Sequence, residues 1–206
     1  MTKLVGYELF LPAIAAAIYG KKKNDNQVNQ TELKKIVALT FRDAMIRTMK
    51  DTKLYREEIP IDLYEGVNRY DIIPSDGFLI ESVMELKAHK FKIPKNTYSE
   101  HSIELTCCPK RDVSSAFFIE VALIAKRSGP CEFDEDFVEK YYDMILANMF
   151  SRLSAMGQQM WRSLGAAQDY RREYDNLVGD AKRQALSSGS PLKLQIRRLS
   201  NNVSSY

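Results

Sequence analysis

The sequence predicts an α+β protein: a three-helix bundle with an inserted small β-sandwich domain and an extended C-terminal arm. Three observations predict it. Apolar residues recur at three-and-four spacing toward both ends of the chain, which is the helical period. Between those ends the period falls to two, which is the period of half-buried strands. Beyond residue 186 a Ser/Gly/Pro stop is followed by a basic stretch with no acid in it. These changes divide the chain into a discontinuous helical domain (1–52 and 131–186), an inserted β-domain (53–130) and an arm (187–206).

The chain of 206 residues is long enough to bury roughly 70% of its unfolded surface without a metal or disulfide staple. Its formal charge of +3 is too small to argue for nucleic acid or an anionic membrane. Three cysteines, Cys107, Cys108 and Cys131, make no disulfide framework and suit reduced thiols in a cytosolic setting. No apolar run approaches the roughly 20 residues of a membrane span. Leu9 to Ile18, with Ala15, Ala16 and Ala17, mimics a signal peptide, but Glu8 directly before it and Pro12 within it break the apolar stretch.

The first helix is expected from about Thr31, a candidate cap, to Lys50. Leu33, Ile36, Val37, Phe41, Ala44, Met45 and Thr48 form its buried stripe. Before it, Lys21, Lys22 and Lys23 open a polar loop whose ammonium groups suit contact with phosphates or with water. Two further helices are expected between Phe133 and Leu186, broken around Gly157 and Trp161. Phe137, Tyr141, Met144, Ile145, Met149, Phe150 and Leu153 share one face of the first. Ser163 is placed to cap the second, with Ala167, Tyr170, Tyr174, Leu177, Val178, Ala181 and Ala185 on one face. Glu132, Asp134, Glu135 and Asp136 crowd the start of this helical pair, where the helix dipole favours negative charge.

Between the helices, Ile59, Ile61 and Leu63 alternate with polar residues or proline. Pro60 lacks a ladder donor and places that strand at an edge or beside a bulge. Arg69 to Ile73 resumes extended structure, and Phe78 to Ile93 reads as two strands. Ser102 to Cys107 alternates cleanly, with Cys107 on the buried side. Phe117, Ile119, Val121 and Leu123 mark the strongest strand. In the arm, Leu192, Leu194 and Ile196 alternate with Lys193 and Gln195, followed by Arg197, Arg198 and Leu199. That pattern fits a strand adding to a partner's sheet edge, or a frayed terminus.

No catalytic constellation is legible. There is no Gly-rich phosphate loop, Gly-x-Ser-x-Gly elbow or His-Glu-x-x-His helix, and the cysteines lack zinc spacing. The expectation is a protein without enzymatic activity, cofactor or metal.

The order of short motifs is what becomes recognisable. Leu4-Val-Gly-Tyr-Glu-Leu-Phe-Leu-Pro12 precedes a helix ending Arg42-Asp-Ala-Met-Ile-Arg-Thr48. Ile59-Pro-Ile61, then Gly66-Val-Asn-Arg-Tyr70 with Asp71-Ile72, and the strand from Ile103-Glu-Leu105 to Pro109 follow. An acidic helix start, Ala147 to Met156, Gly157, Trp161 and a long basic helix close the chain. Over roughly residues 4 to 186 this order resembles the head-to-tail adaptor (connector) proteins of short-tailed bacteriophages. Two departures stand out. The lysine-rich loop from Gly20 to Gln27 replaces a Cys-Pro turn common in the family, and Met49 to Tyr55 intervenes where an aromatic usually follows the Arg-Thr pair.

The resemblance implies a virion structural protein, assembled in the host cytoplasm and located in the neck between capsid and tail. About twelve copies would close a ring beneath the portal by heterologous contacts. That ring extends the channel through which viral DNA passes without sequence recognition, and it docks the tail nozzle protein. The arm, Leu192 to Leu199, would reach the portal protein, and Lys21 to Lys23 would face DNA. The competing expectations are another neck or tail component, such as a stopper or nozzle-associated protein, and a sequence-independent DNA-binding protein.

Overall fold

The computed structural model describes residues 3–19, 30–87, 96–99, 101–156 and 163–187, and over these the chain is α+β with small antiparallel sheets. Strand β1 (Leu4–Val5) pairs with β8 (Phe133–Asp134), so the start of the chain is tied to the start of its closing helices. The Glu135 amide donates to the Lys3 carbonyl at 3.0 Å, and the two side chains form an ion pair. A 3-10 turn, Tyr7–Leu9, leads into helix α1 (Leu11–Tyr19), whose Ile14 and Ile18 are buried. Pro12 falls in the first turn, where its missing N–H is no loss. Phe10 stacks on Tyr142 with ring centroids 4.7 Å apart and tilts against Phe41 at 5.3 Å.

Helix α2 (Gln30–Thr52) buries Leu33, Val37, Phe41, Ala44, Met45 and Thr48, as its period requires, and half-buries Ile36. Thr31, the expected cap, lies one residue inside the helix. The helix stops at Lys53, which takes the left-handed conformation (φ 57°) while its amide still bonds the Met49 carbonyl at 2.8 Å.

Six strands follow among the described residues: β2 (Arg56–Leu63), β3 (Arg69–Asp71), β4 (Phe78–Lys87), β5 (Asn96–Tyr98), β6 (Ser102–Leu105) and β7 (Val113–Ala125). They make two three-stranded antiparallel sheets, ordered β2-β7-β4 and β3-β6-β5. The strand read as strongest, β7, is the central one and is buried on both faces from Ile119 to Leu123. Pro60 sits on β2 at the edge of that sheet, and the β2–β7 register shifts between Ile61 and Leu63. Edge and bulge therefore both occur.

One expectation changes here, and another is described only in part. Phe78 to Lys87 is one continuous strand, and residues 88–95 lie outside the described residues. Register shifts between Ile80 and Ser82 and between Val83 and Glu85 let a strand of mixed pattern keep its pairing. Cys107 is not on a buried strand face. β6 ends at Leu105, so the alternation runs out before reaching it and the thiol is exposed.

The closing helices begin later than the periodicity suggests. Phe133 and Asp134 are strand, α3 (Glu135–Lys140) follows, and Tyr141 (φ −110°, ψ 22°) separates it from α4 (Tyr142–Ala155). Hydrogen bonding runs through the break, because the Tyr141 N–H donates to the Phe137 carbonyl at 3.1 Å and the Tyr141 carbonyl accepts the Ile145 N–H at 2.9 Å. Asp134 caps α3, its carboxylate accepting the Phe137 amide at 3.1 Å. Helix α5 (Leu164–Ser187) completes the described chain. α2 packs on α4, α5 and β7, and α4 packs on α5. Helices and strands share one hydrophobic core, joined where Tyr55 meets Phe78 at 5.4 Å and Phe137 at 4.9 Å.

Candidate functional site

The residues that sequence reasoning nominates for partner contact, Lys21 to Lys23 and Leu192 to Leu199, lie outside the described residues. The helix that precedes Leu192 to Leu199 in sequence is described. α5 begins with Ser163, whose hydroxyl accepts the Ala166 amide at 3.3 Å, the expected cap. Ala167, Tyr174, Val178 and Ala181 are buried, and Tyr170, Leu177 and Ala185 half-buried, all on one face at helical spacing. Tyr170 stacks on Phe150 of α4 with centroids 5.0 Å apart, and the Ser151 hydroxyl donates to the Ala167 carbonyl at 3.1 Å.

The deepest anchor is Tyr174. Its hydroxyl donates to Asp51 of α2 at 2.9 Å, and Asp51 is also paired with Arg47 at 3.2 Å. The guanidinium of Arg47 lies 5.2 Å from the Tyr174 ring centroid, and that of Arg171 lies 6.0 Å away. Burial, reinforced by the Asp51 carboxylate, pushes the phenol well above its ordinary value. α5 is thus fixed at mid-length to α2 by a neutral phenol between charged neighbours.

The outward face of α5 carries short-range ion pairs: Arg172 with Asp169, Arg171 with Asp175, and Arg183 with Asp180. Exposed pairs of this kind contribute little to stability and keep the face hydrated. Lys182 and Arg183 are exposed on α5 but lie short of its last turn, which carries no basic residue. Leu186 there is 84% exposed.

A second constellation lies on the β2-β7-β4 sheet and was not singled out from the sequence. Glu58, Glu120 and Glu85 are cross-strand neighbours in one row. Lys87 reaches all three, at 3.4 Å from Glu58, 3.1 Å from Glu85 and in close contact with Glu120, while Arg56 bonds Glu120 at 3.1 Å. Burial alone would raise the Glu120 carboxyl, but hydrogen bonds from Lys87 and Arg56 outweigh it and hold the group below its usual range. The signal was present: Glu120 interrupts an apolar run from Ala116 to Ala125, and a buried charge requires a partner. What one sequence does not reveal is which strands bring that partner.

No family model and no curated protein matches the chain.

Among the described residues, no three His, Cys, Asp or Glu side chains come together in a way that could hold a metal ion. No described helix is long and apolar enough to cross a membrane. The described residues thus present a helix braced against α2 and α4, and a sheet in which Glu58, Glu85 and Glu120 are paired by Lys87 and Arg56.

Proposed function

We propose that this protein is a head-to-tail adaptor of a short-tailed bacteriophage virion, forming a ring beneath the portal. The observation that carries the reading is the order and return of its elements. One long helix, α2, is followed by six strands, and the chain then comes back as a helical hairpin, α4 and α5, packed against that same helix. This is the arrangement expected of a three-helix bundle with an inserted β-domain, and the sequence resemblance runs in the same order. On this reading the two three-stranded sheets are the layers of a small β-sandwich spanning 53–130, and 1–52 with 131–186 form the bundle.

The mechanism is mechanical. Each subunit presents two different faces to its neighbours, which closes a ring of about twelve copies. The ring continues the DNA channel and gives the tail nozzle a surface to dock on. α5, held to α2 through Tyr174 and Asp51, supports an arm in which Leu192, Leu194, Ile196 and Leu199 contact the portal protein. Repetition around the ring turns a weak single-arm contact into strong avidity. Lys21, Lys22 and Lys23 line the channel and meet DNA phosphates without reading sequence.

Negative-stain imaging of this protein mixed with the portal ring from the same virion tests the assignment. An added ring below the portal is expected. A bare portal would overturn it and move the protein to another neck or tail position, such as a stopper. Deleting residues 187–206 is expected to leave the circular dichroism spectrum of a folded protein while abolishing portal pull-down. Retained binding would remove the arm from the docking role.

A further inference from the structure

Cys107 and Cys108 are adjacent, free and both exposed. They stand on a loop whose course is fixed from several sides. The Leu105 amide bonds the Asn68 carbonyl at 2.7 Å, the Gly66 amide bonds the Pro109 carbonyl at 3.1 Å, and the Glu65 amide bonds Asp112 at 2.7 Å. The Tyr70 hydroxyl donates to the Val67 carbonyl at 2.6 Å, bracing the turn that bonds this loop. Two thiols on consecutive residues are therefore exposed to water on a braced loop, where the sequence pattern placed Cys107 on the buried side of a strand.

Closing a disulfide between them is unfavourable. Neighbouring α-carbons across a trans peptide are about 3.8 Å apart, whereas an unstrained disulfide needs about 4.4 Å or more. Inserting one further atom between the sulfurs relieves that constraint. Two sulfurs are too few for structural zinc, which takes four protein ligands. They do satisfy a soft centre that carries its own third substituent.

We propose that Cys107 and Cys108 form a dithiol site for thiophilic centres of the monosubstituted arsenic(III) class. With an aryl arsenic(III) oxide, each thiol gives up its proton and two As–S bonds form. The As–O bond breaks, and the oxygen leaves with both protons as one water. No atom changes oxidation state. The site is independent of the adaptor reading and is present in the isolated chain.

Phenylarsine oxide and intact-mass spectrometry of the full-length protein test it, with exposed Cys131 serving as a single-thiol control in the same molecule. One phenylarsenic adduct is expected on the wild type and on Cys131→Ser. Excess glutathione should leave it in place and ethanedithiol should remove it. The second As–S bond is intramolecular, so retention should exceed that of a single thiol by at least about 100-fold. Cys107→Ser and Cys108→Ser should each lose the adduct, and because both side chains are exposed the variants should fold. No adduct on the wild type, an adduct surviving either substitution, or one released by glutathione would overturn the proposal.

Discussion

Lys53 shows how a single residue can carry strain that its chemistry does not explain. It ends α2 with φ at 57°, in the left-handed region, where an L side chain costs roughly 1–2 kcal/mol. Its side chain is exposed, and what the conformation provides is backbone geometry: the amide closes the helix and the carbonyl accepts Arg56 at 2.9 Å. Glycine preserves both bonds and removes the strain, at some cost in unfolded-chain entropy. Lys53→Gly is therefore expected to stabilise the protein by up to about 1 kcal/mol. Urea denaturation should show a higher midpoint with an unchanged slope. The residue is also instructive about sequence reading, because a lysine gives no hint of a positive φ whereas a glycine there would have marked the helix end.

Between elements, the contact of α5 with α2 depends on a hydrogen bond that hydrophobic periodicity cannot foresee. The stripe on α5 placed Tyr174 inward, and the structure adds that its hydroxyl finds Asp51. Tyr174→Phe keeps the packing and deletes the bond, so a loss of about 1 to 2 kcal/mol is expected at neutral pH, with Asp51 still paired to Arg47. The same bond sets a pH dependence. An ordinary tyrosine ionises near pH 10.0, and Tyr174 holds its proton to higher pH in the folded state. Between those two values the unfolded chain releases a proton that the folded chain retains. The contribution is complete below pH 10.0 and is lost as pH rises through the folded-state value. Denaturation midpoints measured upward from neutral pH should fall more steeply for the wild type than for Tyr174→Phe. Parallel profiles would place the alkaline loss elsewhere, with buried Tyr55 as the next group to test.

For the whole molecule, one core runs through helices and strands, so they should unfold together. Far-ultraviolet dichroism, which follows the helices, and tyrosine absorbance should trace one coincident transition in urea; two separated transitions would assign 53–130 a stability of its own. How much of this was legible follows from what a period can encode. Burial on one face repeats at 3.6 or at 2, so α2, α5 and β7 could be read directly, along with the run of short strands between the helices though not their number. The split at Tyr141, the continuity of β4 and the exposure of Cys107 depend on where hydrogen-bonded pairing starts and stops, and one-dimensional pattern does not carry that. The site was less legible still: Glu120 announces a partner, but Lys87 and Arg56 become its partners only when three strands align. The borders of that sheet have a further consequence. Pro60 removes a donor from one border strand, and two register shifts corrugate the other. Among the described residues, the sheet is a poor template for templated growth of backbone on backbone. A crowded solution of this protein is thereby protected at this sheet from fibre growth by strand addition, and any contact made there is left to side chains, whose identity evolution can edit one position at a time.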